Sequence, residues 1–244
     1  MITSTSNIQV KELLRLQKKS REREKEGVFI VEGPRMAEEI PRERIVKLYV
    51  SESFQAKCVK EKNDRFIQEA EVMSDTVFAH VSDTKTPQGI LAVVRRMEYT
   101  AEDILGETPH VLVLENIQDP GNLGTIFRTA AACGFCDIYL LDTADIYSPK
   151  VVRATLGTLF KVRACQIDEE QAISLCKSTS SAVLDMDGEN KPKAPILFVS
   201  GNEAHGVRDI LVKNAKKIYS LPMQNDVESL NVAVATAVAM YQSI

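Results

Sequence analysis

The stretch that decides the fold is "HVLVLENIQDPGNLGTIFRTAAACGFCDIYLLD", which runs from His110 to Asp142. It opens with a short apolar run, passes through a polar loop containing Pro and Gly, and closes with a second apolar run. Between the loop and the second run, apolar residues recur at helical spacing, which predicts an amphipathic helix. A strand, a helix and another strand in this order are typical of a parallel sheet with helices on its faces.

The same rhythm continues toward the C-terminus. The further strand-like runs are "VRACQI", "SAVLDM", "PILFVS" and "KIYSLP", and helical segments separate most of them. We therefore predict an α/β fold with a mostly parallel sheet. Ligands of such sheets bind beyond the carboxyl ends of the strands. Three polar loops occupy that position in the sequence, namely 116–122, 201–206 and 222–229.

The front of the chain has a different organisation. Its strand-like runs are "GVFIVEG", "RIVKLYV" and "GILAVV", with short helical segments between them. This pattern predicts a small α/β domain over residues 1–95. The polar stretch that follows ends in Gly and Pro, which is typical of a linker over 96–109. The second domain is then predicted over 110–244.

Composition restricts the class of protein. The chain has 244 residues, of which 44% are hydrophobic and 26% charged, as in ordinary globular proteins. No apolar stretch reaches the roughly 18 residues that span a bilayer, so no membrane partner is expected. The N-terminus lacks the apolar core of a secretion signal. Five dispersed cysteines are typical of reduced thiols, which predicts a cytoplasmic protein.

The net charge of −4 argues against a nonspecific nucleic-acid binder. One segment is nevertheless locally basic, because "KELLRLQKKSREREK" has seven basic and three acidic side chains. Such a helix either contacts phosphates or simply presents a solvated face. Its charge alone does not separate these two alternatives.

A dinucleotide-binding oxidoreductase is the first alternative for an α/β chain. Asp142 follows Gly121 at about the spacing of a ribose-binding acid. The loop "ENIQDPGNLG" lacks the GxGxxG fingerprint, however, and "GNEAHG" lacks the Lys-Ser/Thr of a phosphate-binding loop. The sequence therefore argues against an NAD site.

Three segments carry a resemblance to a known family. "ENIQDPGNLGTIFRTAAACGF", "LFVSGNEAHGV" and "LPMQNDVESLNVAVATAVAMY" resemble, in order, the three motifs of the SpoU (TrmH) family of RNA 2′-O-ribose methyltransferases in the SPOUT class. In the front half, "FIVEGPRMAEE" and "VSDTKTPQGILAVV" resemble the substrate-binding domain of that family, which is similar to a ribosomal-protein L30-like fold.

The resemblance implies a trefoil knot near the C-terminus, a homodimer, and S-adenosylmethionine as cofactor without a metal. It implies RNA as substrate. Ribosomal RNA is favoured because the L30-like domain accompanies rRNA enzymes in this family, and tRNA is the alternative. A non-catalytic RNA-binding protein of the same fold is a further alternative, against which the intact motif residues argue.

Carried over by motif position, the resemblance implies functional side chains and cofactor contacts. The functional side chains are Asn122, Arg128, Glu203, Ser229 and Asn231, and the cofactor contacts are Gly201, Leu221, Met223 and Leu230. A guanidinium keeps its proton at neutral pH. We therefore expect Arg128 to act as a charged donor to a phosphate or to the emerging alkoxide, and not as a base.

Several of these residues also have a purely local interpretation. Asn122 stands where a helix begins, so an alternative is that it only caps that helix. We predict that Ser229 caps the last helix, and that Asn231 lies inside this helix without a capping role. Asn225 stands where the family usually has glycine, and asparagine tolerates the left-handed conformation that glycine often serves.

Overall fold

The computed structural model describes residues 1–62, 65–104, 110–178, 181–189, 196–202, 205–226 and 228–244. The described residues within 1–96 form five helices and four strands, together with the short 3-10 helix Arg42–Arg44. In chain order the helices and strands are α1 (Ile8–Lys18), α2 (Ser20–Glu26), β1 (Val28–Glu32), α3 (Pro34–Glu39), β2 (Ile45–Ser51), α4 (Glu52–Lys60), β3 (Glu71–Met73), α5 (Asp75–Val81) and β4 (Ile90–Arg95).

The rest of the chain alternates strands and helices, with a second 3-10 helix at Thr158–Lys161. Its elements are α6 (Ala101–Ile104), β5 (His110–Glu115), α7 (Pro120–Cys133), β6 (Asp137–Leu141), α8 (Pro149–Thr155), β7 (Arg163–Gln166), α9 (Glu169–Ser178), β8 (Ser181–Glu189), β9 (Ile196–Ser200), α10 (Asp209–Asn214), β10 (Lys217–Tyr219) and α11 (Val232–Gln242). Within the described ranges, no helix has both the length and the apolar character needed to cross a membrane.

The chain forms two compact units. The first combines Met1–Arg96 with Asp145–Phe160, and the second combines Met97–Ala144 with Lys161–Ile244. The segment Asp145–Phe160, which the sequence prediction counted in the second domain, thus groups with the first unit. Sequence patterns describe local structure, and they do not report which neighbours a helix such as α8 will pack against.

The first unit is built on a four-stranded sheet in the order β1-β4-β2-β3. Only the β2–β3 pair is parallel. Both faces of this sheet are covered. On one face, Ile30 of β1 packs with residues of α1 and α5. On the other face, its neighbour Phe29 is buried among aromatic rings. Those rings are Tyr147, with its centroid at 4.8 Å, and Phe160 at 6.1 Å, so the segment Asp145–Phe160 supplies part of this core.

A buried arginine fixes the start of that segment. The Arg23 side chain donates hydrogen bonds to the carbonyls of Leu16 and Gln17 at 2.6 and 3.2 Å, where α1 ends. Its Nη2 forms an ion pair with Asp145 at 2.5 Å. Burial raises the pKa of Asp145, but the hydrogen bonds from Arg23 and Ser20 outweigh it, and the net pKa lies below its ordinary value. Arg23 therefore joins the end of α1 to the segment that contains α8.

The second unit is built on a six-stranded sheet in the order β10-β8-β9-β5-β6-β7, with every neighbouring pair parallel. Val111 and Val113 of β5 pack into an apolar cluster on one face, together with residues of α9 and α10. Leu112 and Leu114 alternate with them and are fully buried on the other face. The prediction of an α/β fold with a mostly parallel sheet is confirmed. The trefoil knot stays a prediction.

Candidate active site

The first motif forms the loop between β5 and α7. Asn116, the first residue after β5, has a left-handed φ of 55°, which turns the chain sharply as it leaves the strand. Helix α7 then begins at Pro120, and Asp119 is its N-cap, because its carboxylate accepts a hydrogen bond from the Asn122 backbone N–H at 2.8 Å. The alternative that Asn122 caps this helix is therefore wrong, and its side chain contacts another part of the chain.

That contact joins the first motif to the third. The Asn231 amide donates a hydrogen bond from Nδ2 to Oδ1 of Asn122 at 3.0 Å, although the two residues are 109 positions apart. The Oδ1 of Asn231 at the same time accepts hydrogen bonds from the backbone N–H groups of Ala233 and Val234, at 3.0 and 3.3 Å. One amide thus both caps α11 and contacts the first-motif helix.

This geometry corrects the prediction for the last helix. Asn231, not Ser229, is its N-cap, because α11 begins only at Val232. A capping side chain must reach the N–H groups of the first helical turn, and Ser229 lies two residues too early for that. Asn231 is consequently not inside the helix, as expected from the sequence, but at its very start.

The second motif follows β9 and touches the first. Gly201 is buried, and a Cβ added to it would lie 2.4 Å from the carbonyl oxygen of Gly206, so only glycine permits this close approach of the backbone. Asn202 and Gly206 exchange backbone hydrogen bonds of 3.0 and 2.9 Å. The Asn202 side chain donates to the carbonyl of Asn116 at 3.0 Å. Glu203 lies outside the described residues.

The loop before α11 carries the remaining predicted contacts. Asn225 has a φ of 57° and Asp226 a φ of 55°, which confirms that Asn225 adopts the left-handed conformation. Met223 and Leu230 expose 38% and 40% of their surface, which is unusual for apolar side chains and leaves them accessible to a ligand. Leu221 is half-buried, and Ser229 is exposed.

Arg128 lies on α7, two turns after Asn122. It is exposed, whereas Leu123, Ile126 and Phe127 of the same helix are fully buried. Its guanidinium therefore points away from the apolar side of the helix. Among the described residues, no hydrogen bond joins Arg128 or Ser229 to the pair of asparagines.

The sequence prediction missed one arginine beside these loops. Arg208 contacts three carboxylates, with nitrogen–oxygen distances of 2.9 Å to Glu115, 2.8 Å to Asp142 and 2.7 Å to Glu169. Hydrogen bonds to Asp142 and Glu169 raise the pKa of Arg208 above its ordinary value. A signal existed in the sequence, because Glu115 directly follows the apolar run 111–114, and a buried carboxylate needs a partner.

Asp142 was the residue that favoured a dinucleotide site in the sequence. In the structure its carboxylate binds Arg208, and its φ of 54° turns the chain after β6. Its position at the strand end is therefore explained by an ion pair within the protein. This removes the remaining support for an NAD-binding crevice.

Comparison with known proteins gives a consistent result over both halves of the chain. Residues 109–241 match the SpoU rRNA Methylase family, and residues 7–92 match the MRM3-like substrate binding domain. The chain is 31% identical to the 23S rRNA (guanosine(2553)-2'-O)-methyltransferase RlmP of Bacillus subtilis, over 98% of this chain and 97% of that protein. It is 30% identical to an uncharacterized tRNA/rRNA methyltransferase of Synechocystis, over 99% and 92%.

A solved structure is similar over the same extent. The AdoMet-bound rRNA methyltransferase from Sinorhizobium meliloti matches with a TM-score of 0.84 and 25% identity, covering 99% of this chain and 95% of that one. The fold, the three motifs and these relatives agree. The chain belongs to the SpoU rRNA methylase family.

Proposed function

We propose that this protein transfers a methyl group from S-adenosylmethionine to a ribose 2′-hydroxyl of ribosomal RNA. The observation that carries the proposal is the 3.0 Å hydrogen bond between Asn231 and Asn122, because it brings together the first and third motifs of a methylase family. A relative matched over its whole length and named as a 23S rRNA methyltransferase supports rRNA over tRNA. The AdoMet-bound structure with the same fold supports the cofactor.

The described residues fit that cofactor. S-adenosylmethionine has a flat adenine and methylene groups beside its sulfonium, and the partly exposed Met223 and Leu230 offer apolar surface to such groups. Gly201 has no side chain, so the backbone of its loop can approach a ligand closely. We assign the cofactor contacts to Gly201, Leu221, Met223 and Leu230. When bound, S-adenosylmethionine supplies an electrophilic methyl carbon that becomes attached to the ribose oxygen as the sulfonium becomes a neutral thioether.

The protein must position the hydroxyl and help it to lose its proton. Correct orientation of two reactants can lower the activation barrier by up to about 7–11 kcal/mol. We assign to Arg128 a charged hydrogen bond to an RNA phosphate or to the developing negative oxygen, because its guanidinium is exposed and remains protonated. The proton then leaves to water or to a phosphate. Asn122 and Asn231 hold the two motifs together. Ser229 lies two residues before Asn231 in the third motif. Glu203 is assigned to orienting Arg128.

We further propose a homodimer. Val234, Tyr241 and Ile244 expose 49%, 54% and 61% of their surface near or on α11, and a second copy of this chain would cover such apolar side chains. The dimer, the C-terminal knot and the functional division into 1–95, 96–109 and 110–244 follow the family resemblance. Sedimentation of the wild type and of Val234→Glu tests the dimer, because a charge at a buried interface would shift the protein toward monomer.

The five cysteines are free, and this supports a cytoplasmic site of action. Burial raises the pKa of Cys133, Cys165 and Cys176 to about 11, so these thiols stay protonated and unreactive at neutral pH. The cysteines therefore contribute to packing, and the proposed chemistry does not use them.

The activity is tested by methyl transfer in vitro. Tritiated S-adenosylmethionine, the protein and unmethylated ribosomal RNA should give labelled RNA, and digestion to nucleosides should place the label on a 2′-O-methylribose. Label on a base, or no label with any RNA although the cofactor binds, would contradict the proposal.

Two controls make that assay specific. RNA with a 2′-deoxyribose at the mapped position should accept no label, because the nucleophile is absent. Transfer RNA should accept far less label than ribosomal RNA. Equal labelling of both would reject the preference for ribosomal RNA while leaving the reaction type intact.

A further inference from the structure

Within the described residues of the second unit, only the guanidinium of Arg208 contacts three carboxylates. Each of these carboxylates comes from a different part of the chain. Glu115 is the last residue of β5, Asp142 directly follows β6, and Glu169 begins α9. Arg208 contacts both carboxylate oxygens of Glu115. Arg208 Nε donates to it at 3.0 Å, and the Arg208 backbone N–H donates to its second oxygen at 3.3 Å.

The ion pair of Arg208 and Glu115 lies where two of the motif loops meet the rest of the fold. Glu115 is the residue from which the first-motif loop 116–122 starts, and Arg208 stands two residues after Gly206, where the second-motif loop 201–206 ends. Their ion pair therefore joins the residue before loop 116–122 to a residue just after loop 201–206. Only 4% of the Glu115 side chain is exposed, so water screens the pair weakly.

A second, independent link holds the same two loops. Asn202 donates to the carbonyl of Asn116 at 3.0 Å, one residue beyond Glu115 along the first loop. Gly201 directly precedes Asn202, and its backbone has no space even for a methyl group. The loop that carries Gly201 is thus attached to the first-motif loop at both of its ends.

We propose that Arg208 is a positioning residue for the cofactor site, which sets the separation of the first-motif and second-motif loops without touching the cofactor. This inference rests on the proposed function, because the loops are taken as the cofactor site. Asp142 and Glu169 hold the same guanidinium through hydrogen bonds from Nη2 and Nη1, at 2.8 and 2.7 Å. The loops open in its absence, and the cofactor then binds a wider and less ordered site.

The opposite end of the same sheet offers a matched control. Arg163, the first residue of β7, forms an ion pair of 2.6 Å with Asp137, the first residue of β6. The side chains of Arg163 and Arg208 are similarly exposed, at 27% and 30%, and both carboxylates are buried. Arg163, however, lies far along the strands from loops 116–122 and 201–206. Its loss should affect stability alone.

The test compares Arg208→Gln with Arg163→Gln. Isothermal calorimetry with S-adenosylmethionine should give a dissociation constant raised at least tenfold in Arg208→Gln and changed less than twofold in Arg163→Gln. In methyl transfer to ribosomal RNA, Arg208→Gln should raise KM for the cofactor, while kcat at saturating cofactor stays within about threefold. Both variants should have a lower Tm. An unchanged dissociation constant in folded Arg208→Gln would overturn the proposal.

Two further variants keep the test decisive if Arg208→Gln does not fold. The double variant Glu115→Gln/Arg208→Gln leaves no buried unpaired charge, and it should fold yet still bind the cofactor weakly; normal binding would overturn the proposal. Arg208→Lys keeps the charge but cannot reach three carboxylates, so binding should be intermediate. Full rescue by lysine would contradict the three-way arrangement.

The experiment also separates this inference from the proposed function. If the wild type does not bind S-adenosylmethionine, the proposed function fails and the inference fails with it. If the wild type binds it and methylates RNA, while Arg208→Gln binds equally well, only the positioning role is lost.

Discussion

The two ends of the six-stranded sheet use similar residues for different purposes. At the carboxyl end, the chain leaves the strands through left-handed residues such as Asn116 and Asp142, and polar side chains are exposed there. At the amino end, His110 stacks on Phe135 with ring centroids 4.9 Å apart, and Asp137 is fully buried against Arg163. One end presents polar, exposed loops, and the other is packed.

An arginine and a buried carboxylate occur at both ends, so the pair itself does not define a site. The two ion pairs differ in the segments of chain that they join. Arg163 joins the starts of two neighbouring strands, whereas Arg208 joins two loops that carry motif residues. A buried ion pair stabilises little by itself but costs several kcal/mol when one partner is removed. Its function must therefore be judged from which segments it fixes.

The largest effect on activity is expected for Arg128 on helix α7, which begins at the carboxyl end of the six-stranded sheet. Arg128→Ala should lower kcat by about 10²–10³-fold, the usual loss when a donor to a developing charge is removed. Its Tm should stay near that of the wild type because Arg128 is exposed. Single-turnover methyl transfer at saturating cofactor measures this. Activity within threefold of the wild type would remove Arg128 from the reaction.

The next effect concerns the asparagine pair. Asn231→Asp keeps an oxygen that accepts from Ala233 and Val234, but it cannot donate to Asn122. We expect a loss of about tenfold in kcat/KM, close to the strength of one hydrogen bond, with little change in Tm.

Asn231→Ala is the matched variant for that prediction. It loses the same activity and in addition about 1 kcal/mol of unfolding free energy, because the cap of α11 is gone. If the aspartate variant were fully active, the hydrogen bond to Asn122 would be only structural.

Two glycines allow the ends of the sheet to be compared directly. Gly201→Ala forces the backbone at Gly206 to move, and should weaken S-adenosylmethionine binding about fivefold to tenfold, which is about 1–1.4 kcal/mol. Gly134→Ala, at the end of α7, meets open space but strains a φ of 82°. It should cost about 1 kcal/mol of stability and leave binding unchanged. Equal effects of the two on cofactor binding would contradict the contrast between the ends.

The smallest effect on activity is expected at the amino end. Arg163→Gln leaves Asp137 buried without its ion-pair partner, and should lower the free energy of unfolding by about 3 kcal/mol. Urea denaturation measures this loss, whereas kcat and KM of the folded fraction should match the wild type. A raised KM for the cofactor would mean that strain spreads along the strands to the loops.

The sequence predicted the parallel sheet well because its strands are short apolar runs separated by helices of clear period. It missed β3, since three residues such as Glu71–Met73 are too few to establish a period. The strand order and the placement of α8 on the first unit depend on tertiary packing. No local pattern contains that information.

The site shows the same division between local and long-range information. The cap of α7 could have been predicted, because Asp119 followed by Pro120 is a typical helix start. The cap of α11 was misassigned by two residues, since Ser229 and Asn231 are both good capping residues and only the position of the first turn separates them. The hydrogen bond from Asn231 to Asn122 spans 109 residues and could be expected only from the family motifs.

The segment Asp145–Phe160 has a consequence for the newly made chain. Phe29 and Arg23 leave the ribosome early, but the rings and the carboxylate that cover them belong to residues up to Phe160. At a synthesis rate of about 5–20 residues per second, the N-terminal sheet waits on the order of several seconds for these residues. During that interval an apolar face is open to chaperones, and a fragment ending at Arg96 would keep that face permanently.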